Sequence, residues 1–156
     1  MNSKNRNWRK MKPVKNLHRL LYKVGFGPVV GIIVLLLTTT GRKSGLPRTT
    51  PLQYELIDGK YYLGSARGKS ADWVRNIEAN PKVQIRVKRL AFSGTARVVC
   101  DPLEIADFIE IRLQRHPVMI GMIMQKSHNL PRKPSRQQLE ELAKSEAMVV
   151  VTPDQG

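Results

Sequence analysis

Apolar positions along this chain follow two periods, and the changeovers between them mark its elements. Residues 29–37 (VVGIIVLLL) are the most apolar run, β-branched and uncharged, and predict a buried strand. Residues 52–57 alternate loosely up to Asp58-Gly59, a two-residue hairpin signal, so residues 60–64 predict the return strand. Residues 82–89 alternate cleanly, with Val83, Ile85 and Val87 on one face and Gln84, Arg86 and Lys88 on the other. Residues 91–99 predict its partner, with Ser93-Gly94 marking a bulge or a close backbone approach. Met148–Thr152 predicts a last strand.

The helical period appears elsewhere. Leu17, Leu20, Leu21 and Val24 share one face of a short basic helix over 16–24. Asp72 predicts the cap of a helix over 72–80, with Asn80 in the left-handed position and Pro81 ending it. Asp101, Pro102 and Glu104 open a helix to about Arg115, interrupted at Pro117. The apolar segment 118–124 (VMIGMIM) precedes a basic loop over 125–134, and Ser135 with Gln138 predicts a capping box for a helix to about Glu146. Consecutive hairpins with few crossovers predict an α+β fold, a small antiparallel barrel flanked by helices. At 156 residues the chain predicts one domain over 16–156 behind a flexible basic tail at 1–15.

Charge sharpens this picture. The chain carries 27 Lys and Arg against 12 Asp and Glu, a net charge of +15. No acid occurs before Glu55, whereas residues 1–54 hold eleven Lys and Arg. The positive field therefore belongs to the tail and to the segment after the first strand, and it implies an anionic partner. The candidates are a phosphorylated cofactor, an anionic membrane surface met by the tail and first helix, and nucleic acid. Nucleic acid ranks last, because the basic stretches hold few aromatics for stacking. Cys100 is the single cysteine, which excludes an intrachain disulfide and suits a reducing cytoplasm. It reads as a small core or strand-end residue. The basic start and apolar run imitate a signal peptide, but no A-x-A-like exit follows. Nine uncharged residues at 29–37 are too few for the ~20 of a membrane span. The three histidines show no metal-ligand spacing.

The candidate chemistry lies in residues 38–52, TTTGRKSGLPRTTPL. Gly41 and Gly45 bracket Arg42, Lys43 and Ser44, and Arg48 follows. Cations and a hydroxyl on a glycine-bracketed turn make an anion clamp; the alternative is an exposed basic hairpin loop. With DGKYYLGSARG and ADWVRNIEANPKVQI following in order, the chain resembles the deazaflavin (coenzyme F420)-dependent nitroreductase and quinone reductase family over about residues 30–100. The resemblance implies a split β-barrel and hydride transfer from reduced coenzyme F420 to a small apolar acceptor such as a quinone, enone or nitro compound. A flavin mononucleotide-binding split barrel without that activity is the alternative.

By the same resemblance, Arg42, Lys43, Ser44 and Arg48 hold the phosphate and acidic tail, and Thr49, Thr50, Pro51, Leu52 and Gln53 run along the ring. Gly64, Ser65, Ala66 and Arg67 form the second loop. Trp73, Val74, Arg75 and Asn76 bring a helix start near the phosphate. No catalytic residue and no metal is implied. Two features depart from the family pattern: the loop before Trp73 is short and lacks a proline, and no tyrosine follows Tyr62. Met119, Met122 and Met124 then stand as core, as a homodimer interface or as an acceptor wall. Trp73 reads first as core, and His116 as a cation near a helix C-terminus.

Overall fold

The computed structural model describes residues 34–65 and 67–155. The expected tail, the helix over 16–24, the first half of the apolar run and Ala66 lie outside them. Six strands close into one antiparallel barrel: β1 (Val34–Thr40), β2 (Pro47–Ile57), β3 (Lys60–Ser65), β4 (Lys82–Val87), β5 (Leu90–Val99) and β6 (Ala147–Pro153). Their order around the barrel is β1-β2-β3-β6-β5-β4, and β4 returns to β1 through the Leu37↔Ile85 register. Helix α1 (Asp72–Ala79) sits between β3 and β4, and α2 (Pro102–Arg115), α3 (Pro117–His128) and α4 (Arg136–Ala143) lie between β5 and β6.

Strand alternation divides the apolar residues between two cores. Leu35, Leu37, Leu63, Val83, Ile85, Val149 and Val151 fill the barrel with Trp73, Val74 and Ile77 of α1. Met148 and Val150 point the other way, into a second core with Phe108, Ile109, Ile120, Met124 and Leu139 under α2–α4. Strand β6 is covered on both faces, which is why it reads as continuous AMVVV rather than alternating. Each fully buried Leu, Ile or Val contributes roughly 1.5–3 kcal/mol, so the barrel interior is the main source of rigidity beneath the loops.

Local signals explain most boundaries. Asp58 and Gly59 both take positive φ, 50° and 77°, as the tight β2–β3 turn requires. The Asp101 side chain accepts from the Leu103 amide, and the Ser135–Gln138 capping box is complete in both directions. Gly94 is a close approach and not a bulge: its register with Val83 is continuous, and a Cβ there would meet Val151 Cγ1 at 2.7 Å.

Other expectations are corrected. Strand β2 begins at Pro47, so the expected ring-lining stretch is sheet from its start. Ala71, not Asp72, caps α1, because the Asp72 carboxylate is taken by Arg42. Asn80 is extended at φ −146° and accepts from the Lys82 amide. Pro117 ends one helix and begins the next at a position where its missing N–H costs nothing, and α3 continues through the expected basic loop to His128. Helix α4 stops at Ala143.

Candidate functional site

The site grows from the connection between β1 and β2. The Gly41 amide donates to Leu46 O and the Gly45 amide to Gly41 O, both at 2.8 Å, closing the loop on itself. Gly45 sits at φ 70°, and a Cβ on Gly41 would meet Ser44 Oγ at 2.7 Å, so both glycines are needed for this turn. Ser44 Oγ accepts from the Leu46 amide at 3.2 Å, leaving its O–H free to donate.

Helix α1 stands against this loop. Its apolar face enters the barrel core, and buried Asn76 donates through Nδ2 to Thr39 Oγ1, itself 2% exposed, at 3.2 Å. Asn76 Oδ1 accepts from the Arg42 amide at 3.2 Å and from Arg42 Nη1 at 2.9 Å. Arg42 Nη2 pairs with Asp72 Oδ1 at 3.0 Å. That hydrogen bond and charge hold the Asp72 carboxyl below the usual carboxylate range, with smaller help from Arg75 and Arg67. Arg42 is thus a brace between loop and helix, and it neutralises the one acid at the rim. Lys43 and Arg48 are exposed and have no ion pair among the described residues.

Between loop, strand and helix lies an open cavity of about 670 Å³. Of the expected residues, Arg42, Lys43, Ser44, Arg48, Thr49, Thr50, Trp73 and Asn76 line it; Gly41, Pro47 and Asp72 complete it. Trp73 is both wall and core, at 8% exposure. Asp72 is the residue that sequence reasoning assigned elsewhere. Its spacing of four from Asn76, on one helical face, is the signal that could have found it.

The remaining expected residues lie elsewhere. Leu52 and Val74 pack in the barrel core, and Pro51 is buried in β2. Ser65 is buried and donates to Gly68 O at 2.9 Å, whereas Arg67 and Arg75 are exposed. Gly64 faces α2 and lines a separate, smaller cavity of about 100 Å³ with Phe108, Arg112, His128 and Glu146. Gln53 turns toward α2 and α3, where it meets Arg112 and Met119. The three methionines do not form one wall: Met124 is buried, Met122 is exposed and Met119 lies against Gln53.

A second charged cluster, on the helix-covered face, had no sequence signal beyond isolated charges. Glu55, 3% exposed, lies 3.1 Å from Arg115 Nη1, 3.1 Å from His116 Nε2 and 3.8 Å from Arg112 Nε. The expected helix-end role for His116 omitted this carboxylate. Burial pushes the Glu146 carboxyl up to about 7, against the opposing pull of Arg112, and burial also lowers His128, 3.6 Å from it.

Comparison with known proteins places these features. A curated relative from Mycobacterium tuberculosis, named an F420H(2)-dependent quinone reductase, is 41% identical over 68 residues, 42% of this chain and 46% of the relative. The match therefore spans about half of that relative's length. Among solved structures, an F420-H2 dependent reductase superposes with TM-score 0.50 at 24% identity, covering 75% of this chain and 92% of that one. HutZ, the heme storage protein of Vibrio cholerae, does so with TM-score 0.51 at 19% identity, covering 79% and 82%. At such identities the likeness is one of fold, and a shared barrel does not fix the cofactor. Sequence does more: a family model described as F420H(2)-dependent quinone reductase matches residues 16–130, and the chain belongs to that family.

Proposed function

We propose that the protein is an oxidoreductase that transfers a hydride from reduced coenzyme F420 to an apolar acceptor of the quinone, enone or nitro class. The observation that carries this reading is the pair of unneutralised cations, Lys43 and Arg48, beside a cavity of about 670 Å³, in a chain of this family. Coenzyme F420 joins a tricyclic ring through a ribityl chain and a phosphate to an acidic glutamyl tail. The donor set fits the anionic half: two cations and the Ser44, Thr49 and Thr50 hydroxyls line one cavity, and Asp72 there is already neutralised by Arg42. Bound and reduced, the ring supplies the hydride.

The chain's own work is anchoring, orientation and exclusion of water. Lys43 and Arg48 would bind the phosphate and tail by charge-assisted hydrogen bonds. Arg42 and Asn76 hold the loop at a fixed distance from α1, so the cations are presented on a rigid base. Outer-facing β2 residues beyond Thr49 would carry the ring. The direct test is oxidation of chemically reduced F420 on addition of a quinone, followed by the fluorescence of the oxidised cofactor. Oxidation that requires the protein and saturates with quinone supports the reading. Oxidation no faster than without protein removes it.

The same reading places the protein in the cytoplasm, where the basic residues 1–15 would add a contact with anionic lipid near an apolar quinone. Among the described residues, no helix is long and apolar enough to cross a membrane. Sedimentation with anionic vesicles, lost on deletion of residues 1–15 or in high salt, is the expected result; unchanged sedimentation excludes the contact.

A further inference from the structure

We propose that Arg112 is a positioning residue that fixes the side-chain amide of Gln53, so that Gln53 Nε2 is the hydrogen-bond donor offered to a carbonyl on the bound deazaflavin ring. This rests on the function proposed above. Arg112 Nη2 lies 2.6 Å from Gln53 Oε1. A guanidinium can only donate, so the amide oxygen is committed to Arg112 and the NH2 group must face away from it. There it meets Met119 Sδ at 3.9 Å, a weak acceptor that leaves its donor capacity largely unused.

Arg112 is itself immobilised. Its guanidinium lies 5.7 Å from the Phe108 ring centroid, and its Nε is 3.8 Å from Glu55 Oε1. Arg115 Nη1 donates to the same carboxylate at 3.1 Å, and His116 Nε2 lies 3.1 Å from it. The orientation of Gln53 is therefore set by a largely buried charged group that α2 packs on the same outer face of β2, and no ligand is needed to impose it.

Position along the strand makes the donor useful. Thr49 lines the cavity, and Thr49, Pro51 and Gln53 alternate onto one face of β2, paired with Thr38, Leu36 and Val34 of β1. Four residues of strand place Gln53 about 13 Å beyond Thr49. A ribityl chain carrying a tricyclic ring spans a distance of that order, with half-buried Leu36 between.

The test uses Gln53→Glu and Arg112→Lys, with two ligands: F420 and its tail-less analogue, which keeps only ring and ribityl chain. Gln53→Glu keeps an acceptor for Arg112 but replaces the outward donor. It should leave the melting temperature unchanged or raised, and weaken both ligands about tenfold. It should also remove the shift of the ring's absorption band on binding. Arg112→Lys should reproduce part of both effects and add little on top of Gln53→Glu. Lys43→Ala should weaken F420 alone. If the wild type binds the tail-less ligand and Gln53→Glu binds it equally, with the same spectrum, the assignment of Gln53 and Arg112 is overturned while the cofactor reading stands. If the wild type binds neither ligand, both fall together.

Discussion

Lys43 and Arg48 stand in solvent without a counter-ion among the described residues, whereas Arg112 is largely buried against β2 and lies beside a carboxylate that Arg115 and His116 also face. The open face and the covered face use the same residue types for opposite purposes. On the open face, the one rim acid is matched to Arg42, and the remaining positive charge is left over for a ligand. On the covered face, Glu55 is surrounded by bases, and the cluster fastens α2 to the outside of β2. Unpaired charge in solvent marks a binding surface; charge paired around a buried carboxylate marks a joint. Net charge alone, +15, could not separate the two.

Substitutions should separate them. The largest stability effect is expected at the joint. Glu55→Gln leaves Arg112 and Arg115 without their shared carboxylate and should cost about 3 kcal/mol, lowering Tm by roughly 6–12 °C in thermal unfolding. A Tm within 2 °C of wild type would mean that the cluster is as solvent-screened as a surface pair. Next is the open face. Lys43→Ala with Arg48→Ala should lower F420 affinity on the order of 100-fold, because two charge-assisted bonds are lost, and leave Tm almost unchanged. A fall in Tm to match the fall in affinity would contradict their role as a free clamp.

Arg42 lies between the two regimes and should show both effects at reduced size. Arg42→Ala removes a side-chain donor from buried Asn76, so stability should fall by about 1 kcal/mol, with a smaller loss of F420 affinity than the double variant. The last effect is pH-dependent. The Glu146 carboxyl, raised to about 7 from an ordinary value near 4.5, binds its proton more tightly in the folded protein. Its contribution to stability is full below about pH 4.5 and is lost as pH rises through about 7. Glu146→Gln should therefore leave stability at pH 5 little changed and raise it by about 1–2 kcal/mol at pH 8. Equal stability changes at both pH values would show that the carboxyl titrates normally.

The barrel was legible because its signals are local. The Asp58-Gly59 turn and the caps at Asp101 and Ser135 each depend on a few adjacent residues and appear where expected, and the alternation expected over 82–89 is strand as far as Val87, where Lys88 turns the chain at φ 52°. The motif loop was legible for the same reason. Errors arose where a side chain found a distant partner. Asp72 is a good cap by type, yet Arg42, thirty residues earlier, captures it. Glu55, Arg112 and His116 carry no shared pattern in the sequence, and only the docking of α2 on β2 unites them. The methionines of 118–124 look like one apolar unit when written in a line. Helical rotation turns Met122 to solvent and Met124 into the core, so no single wall exists.

The central claim is that the cations left over on the open face hold a phosphorylated deazaflavin. It is tested most directly by fluorescence titration of F420 into wild type and into the Lys43→Ala/Arg48→Ala variant, at low and high salt, with flavin mononucleotide in parallel. Saturable binding of F420 to wild type is predicted, weakened by salt and by the substitutions, and stronger than that of the flavin. Binding of F420 that neither salt nor the double substitution alters, or preference for the flavin, would contradict it.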